Sequence, residues 1–256
     1  MSKKTRPHVA QDLSPSTPQR DKMDRSLSIR HRSDLTENQK KIIDLVLNKN
    51  TRIVYLAGPA GTSKTYLGVY CALQLLSEKR VGEAIYVRTI IESASKSLGS
   101  LPGEADLKFG PFTMPLQDKL DELLPVHESN MLIKDERFVG LPINYLRGSS
   151  KNATYILADE MQNFSFSEIV TLITRLGKYS KLFGCGDIMQ SDINGKSGFK
   201  KIFDMFNTEK SRNNGIYCIT LTKEDVVRDG IVRYILEVLE ENMNKLVKDI
   251  PSGKVI

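Results

Sequence analysis

An α/β domain with a mostly parallel sheet and helices on both faces is the architecture this sequence predicts. Two observations carry it. Short apolar runs alternate with longer amphipathic ones along the chain. Three of those apolar runs end directly in glycine-rich or acidic segments, where ligands collect at strand ends.

The elements follow in order. Thr36 opens an amphipathic helix over 36–48, with Ile42, Ile43, Val46 and Leu47 on one face. Strands are expected at 52–57, 84–88, 142–145, 153–158, 181–185 and 215–221, each short and apolar. Helices are expected at 64–78, 113–124, 165–176, 196–206 and 223–242. Residues 92–140 are less regular, and Leu98 to Gly103 and Lys108-Phe109-Gly110-Pro111 read as loops. No internal repeat is present.

The chain of 256 residues is long enough for one sizeable core, and its 40% apolar content is that of an ordinary soluble protein. No apolar run is long enough to cross a membrane, and the N-terminus lacks a signal-peptide core. Cys71, Cys185 and Cys218 are scattered in apolar contexts and read as reduced core thiols of a cytoplasmic protein. His8, His31 and His127 are too dispersed to point to a metal site.

Charge is uneven. Residues 1–33 carry eight basic and three acidic residues, net +5 of the total +6. With few apolar residues and many Ser, Thr, Pro and Gln, this leader is expected to be disordered, because it cannot bury enough surface to offset the entropy of ordering. A basic tail draws phosphate backbones, or it simply solubilises. The expected organisation is a leader over 1–33, one domain over 34–243 and a tail over 244–256.

The segment Gly58-Pro59-Ala60-Gly61-Thr62-Ser63-Lys64-Thr65 lies between a strand run and a helix run, the setting a phosphate-binding loop requires. In such a loop backbone N–H groups wrap the phosphates, Lys64 reaches their outer oxygens, and the Thr65 hydroxyl meets Mg²⁺. The pattern calls for glycine before the lysine, where this chain has Ser63.

The apolar run Tyr155-Ile156-Leu157-Ala158 ends in Asp159-Glu160-Met161-Gln162. Asp159 is expected to hold Mg²⁺ and Glu160 to act as general base on the attacking water. The competing account is a solvated acidic pair ahead of the helix near Ser165. A third run, Lys181 to Cys185, leads into Gly186-Asp187-Ile188-Met189-Gln190, which makes Gln190 a candidate sensor of the terminal phosphate, with an ordinary Gly-Asp turn as the alternative.

These residues resemble the PhoH family of ATPases, related to the ATPase half of superfamily 1 helicases. The likeness runs through Leu35-Thr36-Glu37-Asn38-Gln39, Gly58 to Thr65, Leu98 to Gly103, Tyr145-Leu146-Arg147-Gly148, Asp159 to Gln162, Thr174-Arg175-Leu176-Gly177, Gly186 to Gln190 and Asp225-Val226-Val227-Arg228. It implies a RecA-like phosphate-loop domain in which a further strand separates the loop strand from the metal strand. It also implies that Gln39 reads adenine, that Gln162 contacts the terminal phosphate, and that Arg88-Thr89-Ile90-Ile91-Glu92 lies near nucleic acid. Ser63, Ile90 and Asp229-Gly230 depart from the family pattern.

About 65 residues follow Gln190, too few for a second ATPase domain of ordinary size. An arginine completing the site is therefore expected from the C-terminal segment or a neighbouring subunit, and the resemblance implies a ring of identical subunits, a hexamer. The candidates are Arg147, Arg175, Arg228 and Arg233, with Arg228 first because it lies in a matched motif. The reading is an ATPase using ATP and Mg²⁺, working on RNA or single-stranded DNA in the cytoplasm of a bacterium, or phage-encoded in its host. The alternatives are a nucleotide-dependent scaffold and a small-molecule kinase.

Overall fold

A computed structural model describes residues 26–89, 105–146, 150–189 and 197–227, together with 230, 231, 234 and 238. The strands are β1 Ile53–Ala57, β2 Glu83–Arg88, β3 Phe138–Pro142, β4 Thr154–Ala158, β5 Lys181–Gly186 and β6 Ile216–Thr220. The helices are α1 Glu37–Leu47, α2 Lys64–Ser77, α3 Ala105–Leu123, α4 Val126–Lys134, α5 Phe166–Ile173, α6 Phe199–Phe206 and α7 Glu209–Asn213. All six strands pair in parallel in the order β3-β2-β4-β5-β1-β6. This is a single RecA-like α/β phosphate-loop domain, and β5 separates the loop strand β1 from β4 as expected.

Parallel strands joined by helices are covered on both faces, which is why β1, β4 and β5 are buried along their whole length. Alternation divides their side chains between two cores. Val54, Leu56, Tyr155, Leu157 and Phe183 pack with α1, α2 and α3. Tyr55, Ile85, Ile156 and Leu182 pack with α5 and α6. Helix α2 approaches so closely that a Cβ on Gly68 would stand 2.5 Å from Leu157 Cδ1. Truncating a fully buried side chain such as Leu157 to alanine costs about 2–5 kcal/mol.

Several sequence expectations change. Residues 108–111, expected as a loop, lie inside α3, which holds Gly110, Pro111 and Pro115 despite their poor helix propensity. Its later turns bury Leu116, Leu120 and Leu123, so packing outweighs propensity. The strand expected at 142–145 is β3, ending at Pro142, and 143–146 form a 3-10 turn. Helix α4 lies in the stretch taken as irregular. Helix α5 stops at Ile173 rather than 176. The helix expected from 223 begins as a 3-10 turn, Lys223–Asp225, with 230, 231, 234 and 238 helical beyond it.

Residues 26–33 are packed: Leu27 and Ile29 lie against the core beside α2. Ser28 bonds Glu128 through its backbone N–H and its hydroxyl, and the Arg30 N–H donates to Leu123 O at 2.8 Å. Arg32 pairs with Asp34 at 2.6 Å and lies over the Tyr66 ring. The apolar Leu27 and Ile29 supply burial that the average composition of residues 1–33 concealed. Residues 1–25 and 244–256 lie outside the described residues. Among the described residues no helix is long and apolar enough to cross a membrane.

Candidate nucleotide site at the strand ends

The C-terminal ends of β1, β4 and β5 converge on one edge of the sheet, where a parallel α/β fold gathers ligands. From β1 the chain turns through residues 58–63 into α2. Two backbone positions in that turn are left-handed, Gly61 at φ 88° and Ser63 at φ 60°. Glycine tolerates this conformation freely, whereas Ser63 carries it at a cost of about 1–2 kcal/mol. Ser63 is also the N-cap of α2 and gives it no side-chain cap, so the first N–H groups of a 14-residue helix face the loop with no capping side chain. A helix start of this kind attracts phosphate.

Lys64 Nζ donates to Gly58 O and Pro59 O, each at 2.8 Å, so its ammonium group lies inside the loop's concavity. The Thr62 hydroxyl braces the turn by donating to Pro59 O at 2.9 Å. Ala60 completes the turn between Pro59 and Gly61.

Asp159 follows β4 directly and is 4% exposed. Three donors from three other elements surround its carboxylate. The Thr65 hydroxyl lies 3.0 Å from Oδ1 and 3.1 Å from Oδ2, the Tyr86 hydroxyl 2.8 Å from Oδ2, and the Cys185 thiol 3.1 Å from Oδ1. Burial, reinforced by the neighbouring Asp159 carboxylate, pushes both the Tyr86 hydroxyl and the Cys185 thiol well above their ordinary pKa. Both therefore remain protonated donors at neutral pH. The Thr65 hydroxyl and the Asp159 carboxylate are hard oxygen donors on opposing elements, and such a donor set fits Mg²⁺, which keeps water and phosphate oxygens for its other positions.

Glu160 is the N-cap of a 3-10 turn, Met161–Asn163, and its backbone is left-handed at φ 55°. Its side chain is slung between the strands that flank β4. Arg88, at the end of β2, lies 3.9 Å from Oε1, and the Gln162 amide donates to Oε2. Gln162 in turn accepts from the Asp187 N–H at 3.0 Å, just past β5. A Cβ on Gly186 would stand 2.5 Å from Gln162 Oε1, so the approach of this amide requires glycine there. A glutamate held in strained backbone at a strand end, with its carboxylate still partly exposed, is placed to meet a water molecule.

Gln39, expected to read adenine, is bonded within the fold. It is fully buried, its Nε2 donates to Thr62 O at 3.1 Å and Asp225 O at 3.0 Å, and its Oε1 accepts from the Thr36 N–H. Here it ties α1 to the phosphate loop and to the C-terminal segment. Asp225, 1% exposed, strengthens that tie by accepting from the Thr36 hydroxyl at 2.7 Å, from Asn38 and from the Thr222 N–H.

Lys64, Thr65, Asp159, Glu160 and Gln162 thus come together at one edge. Gln190, Arg147, Arg228 and Arg233 lie outside the described residues, as do residues 90–92. Sequence reading missed Tyr86, Asp187 and Asp225 as site residues, and took Cys185 only as a core thiol. The available signal was a hydroxyl or thiol near the end of an otherwise apolar strand.

A family model described as PhoH-like protein matches residues 32–240. The chain belongs to the PhoH-like family. A PhoH-like protein of Mycobacterium bovis is 35% identical over 204 residues, covering 79% of this chain and 56% of the relative. A PhoH-like protein of Bacillus subtilis is 34% identical over 193 residues, covering 75% and 60%. The chain therefore spans little more than half the length of these relatives. Among solved structures, the Sulfolobus solfataricus SWI2/SNF2 ATPase core in complex with dsDNA aligns at TM-score 0.43 and 14% identity, over 78% of this chain and 46% of that one. Family, loop and fold together are those of a phosphate-loop NTPase.

Proposed function

We propose that this chain hydrolyses ATP in the cytoplasm and couples hydrolysis to movement on, or remodelling of, RNA or single-stranded DNA, as a ring of identical subunits. The observation that supports hydrolysis most is the Thr65–Asp159 contact with Glu160 beside it, because it joins the loop helix to an acidic strand end.

The loop N–H groups and Lys64 hold the β- and γ-phosphates. Thr65 and Asp159 would hold Mg²⁺, which when bound neutralises charge on the phosphate oxygens. Glu160 takes a proton from water through its carboxylate oxygen as the water oxygen bonds to the γ-phosphorus and the bond to ADP breaks. Gln162 and Arg88 hold that carboxylate in position, and Gln190 is proposed to sense the terminal phosphate. Glu160 favours water as the acceptor over a small-molecule hydroxyl, which argues against a kinase.

The test is ATP hydrolysis measured alone, with RNA and with single-stranded DNA. Stimulation by either polymer supports the coupling. Hydrolysis unchanged by both would remove the polynucleotide from the proposal, and absence of hydrolysis in all three would leave a nucleotide-dependent scaffold.

A further inference from the structure

All six strands are parallel, so their starts share the edge opposite the nucleotide site. At the centre of that edge, the loops entering β1, β4 and β5 carry Lys49, Arg52, Lys151, Arg175, Lys178 and Lys181. Residues 48–52, 150–153 and 174–181 contain no Asp or Glu. Among the described residues the ion pair these cations make is Lys151 with Glu83, at 3.9 Å.

These loops are locked together. Arg52 donates to Ser180 O at 2.8 Å and to Gly177 O at 2.9 Å, while Lys181 donates to Asn48 O and Thr51 O, both at 2.6 Å. Backbone bonds join Lys151 to Arg175 and to Gly177. Arg52 and Lys181 are thus held by loop carbonyls where carboxylates would ordinarily serve, and the three loops that carry the six cations are tied to one another. Crowding shows at Lys181, whose pKa falls to about 8 through burial and the nearby Arg80 and Arg52.

Arg175 is half-buried and carries an unmet donor. Its Nε is buried with no hydrogen-bond partner, its Nη2 reaches only Thr174 Oγ1 at 3.4 Å, and it makes no ion pair among the described residues. It cannot serve its own subunit's nucleotide, because strands of five or six residues separate the two edges by roughly 15–20 Å. The C-terminal segment meets the chain's own phosphate loop at Val227, whose N–H bonds Gly61 O at 3.2 Å.

We propose that this basic edge docks over the nucleotide site of a second copy of the chain, with Arg175 meeting the terminal phosphates bound there. The inference rests on the ATPase reading. A cation-rich edge facing a triphosphate and its acidic strand ends is complementary in charge, and a contact between opposite edges is head-to-tail, the kind that closes rings. During hydrolysis Arg175 would stabilise charge on the γ-phosphoryl oxygens of the neighbour's ATP. There the water oxygen bonds to phosphorus, the bond to ADP breaks, and the water proton goes to that subunit's Glu160.

Two measurements on the full chain test this. Sedimentation with ATPγS and Mg²⁺ compares the parent with Lys49→Glu/Lys178→Glu, which alters only exposed side chains. The parent should assemble and the variant should need at least about tenfold more protein. Hydrolysis is then measured on Glu160→Gln, on Arg175→Gln and on their equal mixture. Each alone should be nearly inactive, and the mixture should regain about a quarter of parental activity, because about a quarter of randomly formed contacts pair an intact Arg175 with an intact Glu160. Since Arg175→Gln touches a buried atom, Lys178→Glu mixed with Glu160→Gln gives a second version and should also recover.

Parental assembly of the charge-reversed variant, parental hydrolysis by Arg175→Gln, or no recovery in either mixture overturns the proposal. If charge reversal abolishes binding of labelled oligouridylate but leaves assembly and recovery parental, the edge is a polynucleotide contact and the docking idea is wrong. If the parent hydrolyses no ATP, the functional reading fails, while nucleotide-dependent assembly and its loss on charge reversal still decide the docking.

Discussion

Thr65 and Asp159 meet across 94 positions of sequence, the Thr65 hydroxyl lying 3.0 Å and 3.1 Å from the two oxygens of the Asp159 carboxylate. The first residue lies in the first turn of α2 and the second follows β4, two places from β1 in the sheet, so the contact exists only once β5 is seated between β1 and β4. A divalent cation bound between the loop helix and β4 would meet this hydroxyl and this carboxylate side by side.

Glu160→Gln is expected to bind ATP with Mg²⁺ near parental affinity while kcat falls about 10²–10⁴-fold, because the amide keeps the shape and loses the basic oxygen. Lys64→Ala should instead lose binding. Nucleotide binding by fluorescence and single-turnover hydrolysis separate the two, and parental turnover by Glu160→Gln would reject the base assignment.

Ser63→Gly relieves a left-handed backbone position, and the added chain entropy of glycine in the unfolded state offsets part of that gain. The net change should be under about 1 kcal/mol, a shift of about 2–4 °C or less in Tm, with ATP affinity equal to or better than the parent's. A large loss of affinity would show that the Ser63 hydroxyl has a specific role.

Tyr86→Phe removes one of the three donors to Asp159 and leaves the ring buried. The Mg²⁺ concentration for half-maximal hydrolysis should rise about tenfold, with Tm little changed, as expected for a residue that orients a metal-binding carboxylate. A Mg²⁺ titration identical to the parent's would reduce Tyr86 to packing.

Two truncations separate tail from core. Residues 1–25 hold six basic and three acidic residues, and their deletion should weaken RNA binding and flatten its salt dependence while leaving basal hydrolysis and Tm near parental. Deletion of residues 1–33 also removes Leu27, Ile29 and the Ser28–Glu128 bonds, and Tm should fall by several degrees. Equal Tm values for both truncations would contradict the packing of 26–33.

Lys181 gives a pH signature. Burial lowers its pKa from an ordinary value near 10.5 to about 8, so between those values the unfolded chain binds more protons at this residue than the folded one. Its contribution to stability therefore rises with pH from about 8 to 10.5, and the destabilisation it causes is fully present below pH 8. In urea melts across this range the parent should gain stability relative to Lys181→Met. Parallel curves would show that the ammonium is not desolvated.

The phosphate loop, the buried run ending in Asp159 and Glu160, and most helix positions were legible because each is local. A turn needs its glycines within a few residues, and a helix or strand announces itself by periodicity over one segment. Legibility failed where local chemistry pointed the wrong way. Gly110, Pro111 and Pro115 read as helix breakers but sit in α3, and Leu27 and Ile29 were averaged away in a polar leader. By itself the sequence determined the fold class, the loop and the acidic pair. Tertiary structure alone decided that Tyr86 and Cys185 hold Asp159, that Gln39 joins α1 to the loop, and that six cations share the edge opposite the proposed nucleotide site. Those relationships depend on which strands lie side by side and in what register, and that is set by packing between segments far apart in the chain, which no local pattern encodes.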